Sequence, residues 1–211
     1  MQEHRSALKN AEVIVVPRQS LFQTPEVHRS GVYVIMKGIL RFYRLKEDGK
    51  MFTVELLGEG DVFGHVDSLS FGTTRGIYIE ALQDTILKIW GSSDHASNDF
   101  QHSPFVLRQM LARMAERLEN LEQRMESLAL DSVRERVLLL LVQMCSRFGY
   151  QEGTYWRLSI PLSHQEIANM VGSSRETVSA TLSQLAKEKL LLASRLSIRL
   201  HSSVMAPAHR H

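Results

Sequence analysis

The chain has 211 residues, 44% hydrophobic and 23% charged, the balance of a soluble globular protein with one large or two ordinary domains. Its longest apolar run, Val137 to Val142, falls far short of the roughly 18 residues of a membrane span, and the N-terminus lacks a signal-peptide core. A cytoplasmic location with no membrane partner is therefore expected. The net charge of +2 is uneven: residues 1–129 carry 15 Lys and Arg against 17 Asp and Glu, whereas residues 130–211 carry 10 against 6, a basic excess suited to phosphate attraction.

Eight of the 12 glycines fall between Gly31 and Gly76, and the segments among them, VYVIMKG, ILRFYRL, MFTVELLG and IYIEALQDTILKIW, alternate or are rich in β-formers. Glu47-Asp48-Gly49-Lys50 is a hairpin signal, because Asp-Gly accepts the positive φ of a tight reversal. Short antiparallel strands with glycine corners predict a small barrel or jelly roll over roughly residues 10–92.

Ser103-Pro104 opens a long helix. Leu107, Leu111, Met114, Leu118, Leu121, Met125 and Leu128 recur at alternating spacings of four and three, the a/d seam of a coiled coil. So narrow a seam asks for a partner helix, and a parallel homodimer is expected.

Asp131 is read as the start of a further helix, SVRERVLLLLVQMCSRFG, ended by Gly149. Its Cys145 is the one cysteine of the chain, which excludes an intramolecular disulfide and, alone, a structural zinc site. Within VLLLLVQMC it reads as a buried structural thiol. Tyr155 to Pro161 is read as a strand. In LSHQEIANMVGSSRETVSATLSQL, Ser163 and Glu166 form a capping box, Ile167, Ala168 and Val171 make an apolar face, and Gly172 sits where a helix C-cap needs positive φ. Ser173 or Ser174 caps a second helix whose buried stripe is Val178, Leu182 and Leu185 and whose polar face is Arg175, Glu176, Ser179, Ala180 and Ser183. LLLASRLSIRLHS then alternates like a hairpin wing. A helical hairpin packed on a core would share this pattern; the basic excess in the same half favours a DNA-binding winged helix-turn-helix. The predicted fold class is α+β: a β-roll (1–103), a dimerisation helix (104–130) and a winged helix-turn-helix (131–211).

This order of elements resembles the cyclic-AMP receptor and fumarate-nitrate regulator (Crp/Fnr) superfamily of bacterial transcription factors, over nearly the whole chain. Its most specific piece, Gly172-Ser-Ser-Arg175-Glu176-Thr177-Val178, is similar to the start of the family's recognition helix. The resemblance implies that Arg175 and Glu176 read base edges, in keeping with Arg on guanine O6 and N7 and Glu on cytosine N4. Ser174, Thr177, Ser179 and Gln165 would hold phosphates, fixing register, and Ser183 completes the expected DNA-binding set. Ala180 stands where the family often has a further Arg, so its usual half-site is not carried over. A palindromic duplex, a second copy of the chain and RNA polymerase are the implied partners.

Within EGDVFGHVDSLSFGTTRG, residues 59–76, cyclic-nucleotide binders carry a Glu for the ribose and an Arg followed by Ser or Thr for the phosphate; here His65 and Gly76 depart from that pattern, and cyclic AMP is not expected. Val62-Phe63-Gly64, Arg75 and the run from Leu128 through Phe148-Gly149 to Leu162-Ser163-His164-Gln165 resemble one branch more closely, the global nitrogen regulators of NtcA type, which implies 2-oxoglutarate as effector and Phe63, Gly64, His65, Val66, Arg75, Arg117 and Glu122 as the effector set. Arg forks suit carboxylates, and the backbone amides from Phe63 to Val66 would take a second oxygen pair. Arg117 and Glu122 also flank the seam, where charges make interhelical salt bridges without any ligand. His65 is open to a pocket role or a haem role, and a haem would lack a companion Cys in its domain. A ligand-independent regulator, or a ligand-binding module acting on a protein partner, are the alternatives. No nucleophile–base pairing, metal-ligand spacing or phosphate-loop motif occurs, so no catalytic residue, metal or enzyme activity is expected.

Overall fold

The computed structural model describes residues 12–27, 29, 31–66, 69–71, 76–90, 104–194 and 197–205; the side chains of 65, 66, 69–71, 90, 104–110, 113 and 117 lie outside the description. The chain divides into two compact units, Met1–Leu121 and Glu122–His211.

The first unit holds nine strands among its described residues: β1 (Val13–Val16), β2 (Leu21–Gln23), β3 (Gly31–Lys37), β4 (Leu40–Leu45), β5 (Met51–Leu57), β6 (Val62–Val66), β7 (Leu69–Phe71), β8 (Tyr78–Ala81) and β9 (Thr85–Trp90). They form two sheets, β1-β9-β3-β6-β7 and β2-β8-β4-β5, with every described pairing antiparallel. One core draws on both. Phe63 is buried, stacks on Tyr33 at 5.2 Å and meets Phe22 and Phe42 edge-on at 5.8 and 5.3 Å. Burying each such ring stabilises the unit by about 2–3 kcal/mol. At the expected hairpin, Lys46 and Lys50 close the turn through a 2.9 Å backbone bond, and Gly49 takes φ +79°.

Helix α1 (Pro104–Leu130) crosses from the first unit into the second. Then come α2 (Val133–Phe148), β10 (Gly149–Glu152), β11 (Tyr155–Leu158), α3 (His164–Val171), α4 (Arg175–Lys187), β12 (Leu191–Ser194) and β13 (Ser197–His201), with a sheet ordered β10-β11-β13-β12. The expected hairpin wing is the β12–β13 pair, in register from Leu191 opposite Leu200 to Ser194 opposite Ser197.

Two boundaries and one strand differ from the sequence reading. Helix α2 begins at Val133, because Ser132 rather than Asp131 is the cap: the Ser132 hydroxyl accepts from the Glu135 N–H, and the Glu135 carboxylate accepts from the Ser132 N–H at 2.7 Å. Gly149 ends that helix without a left-handed residue; it is extended (φ −108°) and opens β10, a strand the sequence reading missed. Its lack of a side chain is still needed, since a Cβ there would stand 2.5 Å from the Cys145 carbonyl oxygen. Strand β11 stops at Leu158, where the Ser159 N–H turns to the Phe148 carbonyl at 3.0 Å.

Candidate DNA-recognition surface

Helices α3 and α4 form as their chemistry directs. The Ser163 hydroxyl accepts from the Glu166 N–H at 3.2 Å, and the Glu166 carboxylate accepts from the Ser163 N–H at 2.7 Å. The box satisfies amides that the first turn otherwise leaves open, a cap that stabilises by about 1 kcal/mol. Gly172 closes α3 in the left-handed region (φ +64°), its N–H bonded to the Ala168 carbonyl. Leu128, in the last turn of α1, lies directly over this turn: a Cβ on Gly172 would sit 3.4 Å from Leu128 Cδ2.

Ser174, not Ser173, caps α4, and its hydroxyl accepts from the Thr177 N–H at 3.1 Å. Glu176 therefore has no capping-box role and is left for another purpose. Val178, Leu182 and Leu185 are buried as expected, joined by Thr181, whose hydroxyl donates to the Thr177 carbonyl at 2.8 Å. At the far end, Arg134 of α2 pairs with Glu188, the C-cap of α4, at 2.7 Å, an exposed link that contributes only tenths of a kcal/mol.

The outward face of α4 then sorts into two kinds of group. Arg175 and Glu176 are exposed, and among the described residues neither has a hydrogen-bond or ion-pair partner. The smaller polar groups are engaged within the protein. Ser174 and Thr177 Oγ1 are 2.9 Å apart, the Ser183 hydroxyl donates to the Ser179 carbonyl at 2.8 Å, and Gln165 Nε2 donates to Asn169 at 2.9 Å. His164 Nδ1 lies 2.8 Å from Ser179 Oγ, joining α3 to α4. Sequence reasoning assigns His164 no role of its own, because a contact fifteen residues apart across a turn leaves no periodic signal.

Of the residues read as an effector set, Phe63, Gly64, His65 and Val66 all lie in β6, which pairs with β3 on one side and β7 on the other. Phe63 is a core side chain. Gly64 is at φ +118°, and a Cβ there would collide with the Gly31 carbonyl oxygen, so only glycine fits between the strands. Arg75 and the side chains of His65, Val66 and Arg117 lie outside the description; Glu122 is exposed on α1. Along the seam, Leu111, Met114, Leu118, Leu121, Met125 and Leu128 are between 44% and 71% exposed, and Leu107 is in α1 with its side chain undescribed. Cys145 is fully buried, and burial pushes its thiol up to about 11. No helix among the described residues is long and apolar enough to cross a membrane.

Residues 12–95 match the family model of the cyclic nucleotide-binding domain, and residues 135–202 match that of the Crp-like helix-turn-helix domain. Over 166 residues the chain is 31% identical to the cAMP-activated global transcriptional regulator CRP of Pasteurella multocida, covering 77% of each chain. The chain belongs to the Crp/Fnr family. This Crp/Fnr protein is a DNA-binding transcription regulator with a cyclic nucleotide-binding domain, from a family of regulators rather than enzymes. It is also 29% identical over 174 residues to the Global nitrogen regulator of Nostoc sp., covering 82% of this chain and 78% of that one. FixK2 from Bradyrhizobium japonicum shares the fold, with a TM-score of 0.76 at 24% identity over 95% of this chain and 98% of that one.

Proposed function

We propose that this Crp/Fnr regulator works in the cytoplasm as a homodimer on palindromic DNA, under control of a small dicarboxylate, 2-oxoglutarate. Its working parts are a sensor roll (1–103), a dimerisation helix (104–130) and a DNA-binding domain (131–211), with RNA polymerase as the downstream partner. The observation that carries the reading is the continuous seam from Leu111 to Leu128, apolar at every position yet half exposed or more at most of them. A second copy would cover it. Its last residue, Leu128, rests on the Gly172 turn, so a change in helix pairing has a short path to α4.

On DNA, Arg175 takes guanine O6 and N7 and Glu176 accepts from cytosine N4, while Ser174, Thr177, Ser179, Ser183 and Gln165 face phosphates. Of these groups Gln165 bonds Asn169 with one amide proton and keeps the other for a phosphate, whereas Ser183 gives its single proton to the Ser179 carbonyl and must release it to donate to DNA. For the effector, His65 at the ribose-acceptor position and Gly76 after Arg75 argue against cyclic AMP, and Arg75 and Arg117 offer the charge a dicarboxylate needs. Calorimetry of the full chain with 2-oxoglutarate and with cyclic AMP tests the effector: heat from the first and none from the second is expected. The reverse pattern would overturn it.

A further inference from the structure

The contact between His164 and Ser179 joins the two helices of the DNA-binding motif at its outward surface. His164 is the first residue of α3; Ser179 lies one turn into α4, beyond Arg175 and Glu176, and both are half-buried. The 2.8 Å separation between His164 Nδ1 and Ser179 Oγ is a hydrogen bond whichever atom donates. A serine hydroxyl has one proton and two lone pairs, so the direction of this bond decides what Ser179 retains for a partner.

If Nδ1 carries no proton, it accepts from Ser179, and the hydroxyl turns only lone pairs outward. If Nδ1 is protonated, it donates to Ser179, and the hydroxyl proton is released toward solvent or DNA. The imidazolium has a proton on both nitrogens, which enforces the second arrangement and makes Nε2–H a second donor. DNA phosphates and base N7 and O6 atoms are acceptors, so they favour the protonated arrangement twice, by donor count and by charge.

We propose that His164 is a positioning residue whose proton sets whether Ser179 offers DNA a hydrogen-bond donor or only an acceptor. This rests on α4 being the DNA-reading helix, as argued above. The charged groups nearby do not pre-empt the role. On α3 the Glu166 carboxylate is held by the Ser163 N–H and hydroxyl at 2.7 Å each. On α4, Arg175 and Glu176 are exposed and Lys187 is at the far end. On α2, Arg134 is turned to Glu188 and Arg136 donates to the Asp131 carbonyl at 3.0 Å. Ser179 is held in place from its other side by the Ser183 hydroxyl on its carbonyl.

The test measures affinity of the full chain for a duplex obtained by binding-site selection, at fixed ionic strength, from about pH 6 to about pH 8. Wild type is expected to bind roughly threefold to tenfold tighter at the acid end, with proton uptake on binding. His164→Gln, whose amide donates to Ser179 without titrating, is expected to flatten the profile while binding DNA. Ser179→Ala should lose affinity mainly at low pH. A wild-type profile retained in His164→Gln, or wild-type behaviour in Ser179→Ala, would overturn the proposal with DNA reading by α4 intact. Failure of the wild type to bind any duplex would instead sink the DNA-reading assignment and this proposal with it.

Discussion

Replacing Gly172 with Ala tests the turn on which the recognition helix depends. Gly172 sits at φ +64°, ψ +48°, where a Cβ costs about 1 kcal/mol relative to glycine. The new methyl would meet Leu128 Cδ2 at 3.4 Å, ordinary van der Waals contact, so no collision adds to that figure. The expected loss is thus ~1 kcal/mol, or a Tm lower by about 2–4 °C. Gly172→Asn should lose less, because Asn tolerates the left-handed region. Gly64→Ala, by contrast, should be far worse, since its Cβ would strike the Gly31 carbonyl oxygen. Urea unfolding of the three variants decides the matter. Wild-type stability in Gly172→Ala, or Asn worse than Ala, would refute the reasoning.

Arg175→Ala should weaken cognate DNA binding by roughly 1–3 kcal/mol and relax one base pair in a binding-site selection, with no change in Tm because the side chain is exposed. Retained discrimination would contradict the base-reading role. Leu118→Glu places a carboxylate in the seam at a position 58% exposed in one chain, so folding should survive while self-association weakens roughly a hundredfold or more by sedimentation equilibrium. Cys145 should resist thiol reagents in the native protein and react on unfolding. Because burial raises its thiol from 9.0 to about 11, its contribution to stability is intact below about pH 9 and is lost as pH rises toward 11, which alkaline unfolding curves would register. Native-state labelling faster than unfolding would contradict the burial.

Helices α3 and α4 were legible because their ends are local chemistry: Ser163, Glu166 and Gly172 act through neighbours three to five residues away. The β4–β5 hairpin was legible for the same reason, with Asp48-Gly49 at its tip. Strand β10 was not, since GYQE has no alternation and is extended only because β11 pairs with it through Gly149 opposite Leu158. Phe63 enters the expected effector set through its backbone amide alone; that its ring fills the roll is a packing outcome visible only once Phe22, Tyr33 and Phe42 converge. The serines on the polar face of α4 have partners that the sequence does not show: a helix lets Ser183 reach back to the carbonyl four residues earlier, and tertiary packing gives Ser179 to His164.

Sedimentation velocity of the full chain at micromolar concentration, alone and with a selected palindromic duplex across a salt series, tests the central claim most directly. A dimer that loads onto one duplex, with affinity falling steeply as salt rises, is the expected result. A monomer that leaves every duplex unshifted, with or without 2-oxoglutarate, would contradict it.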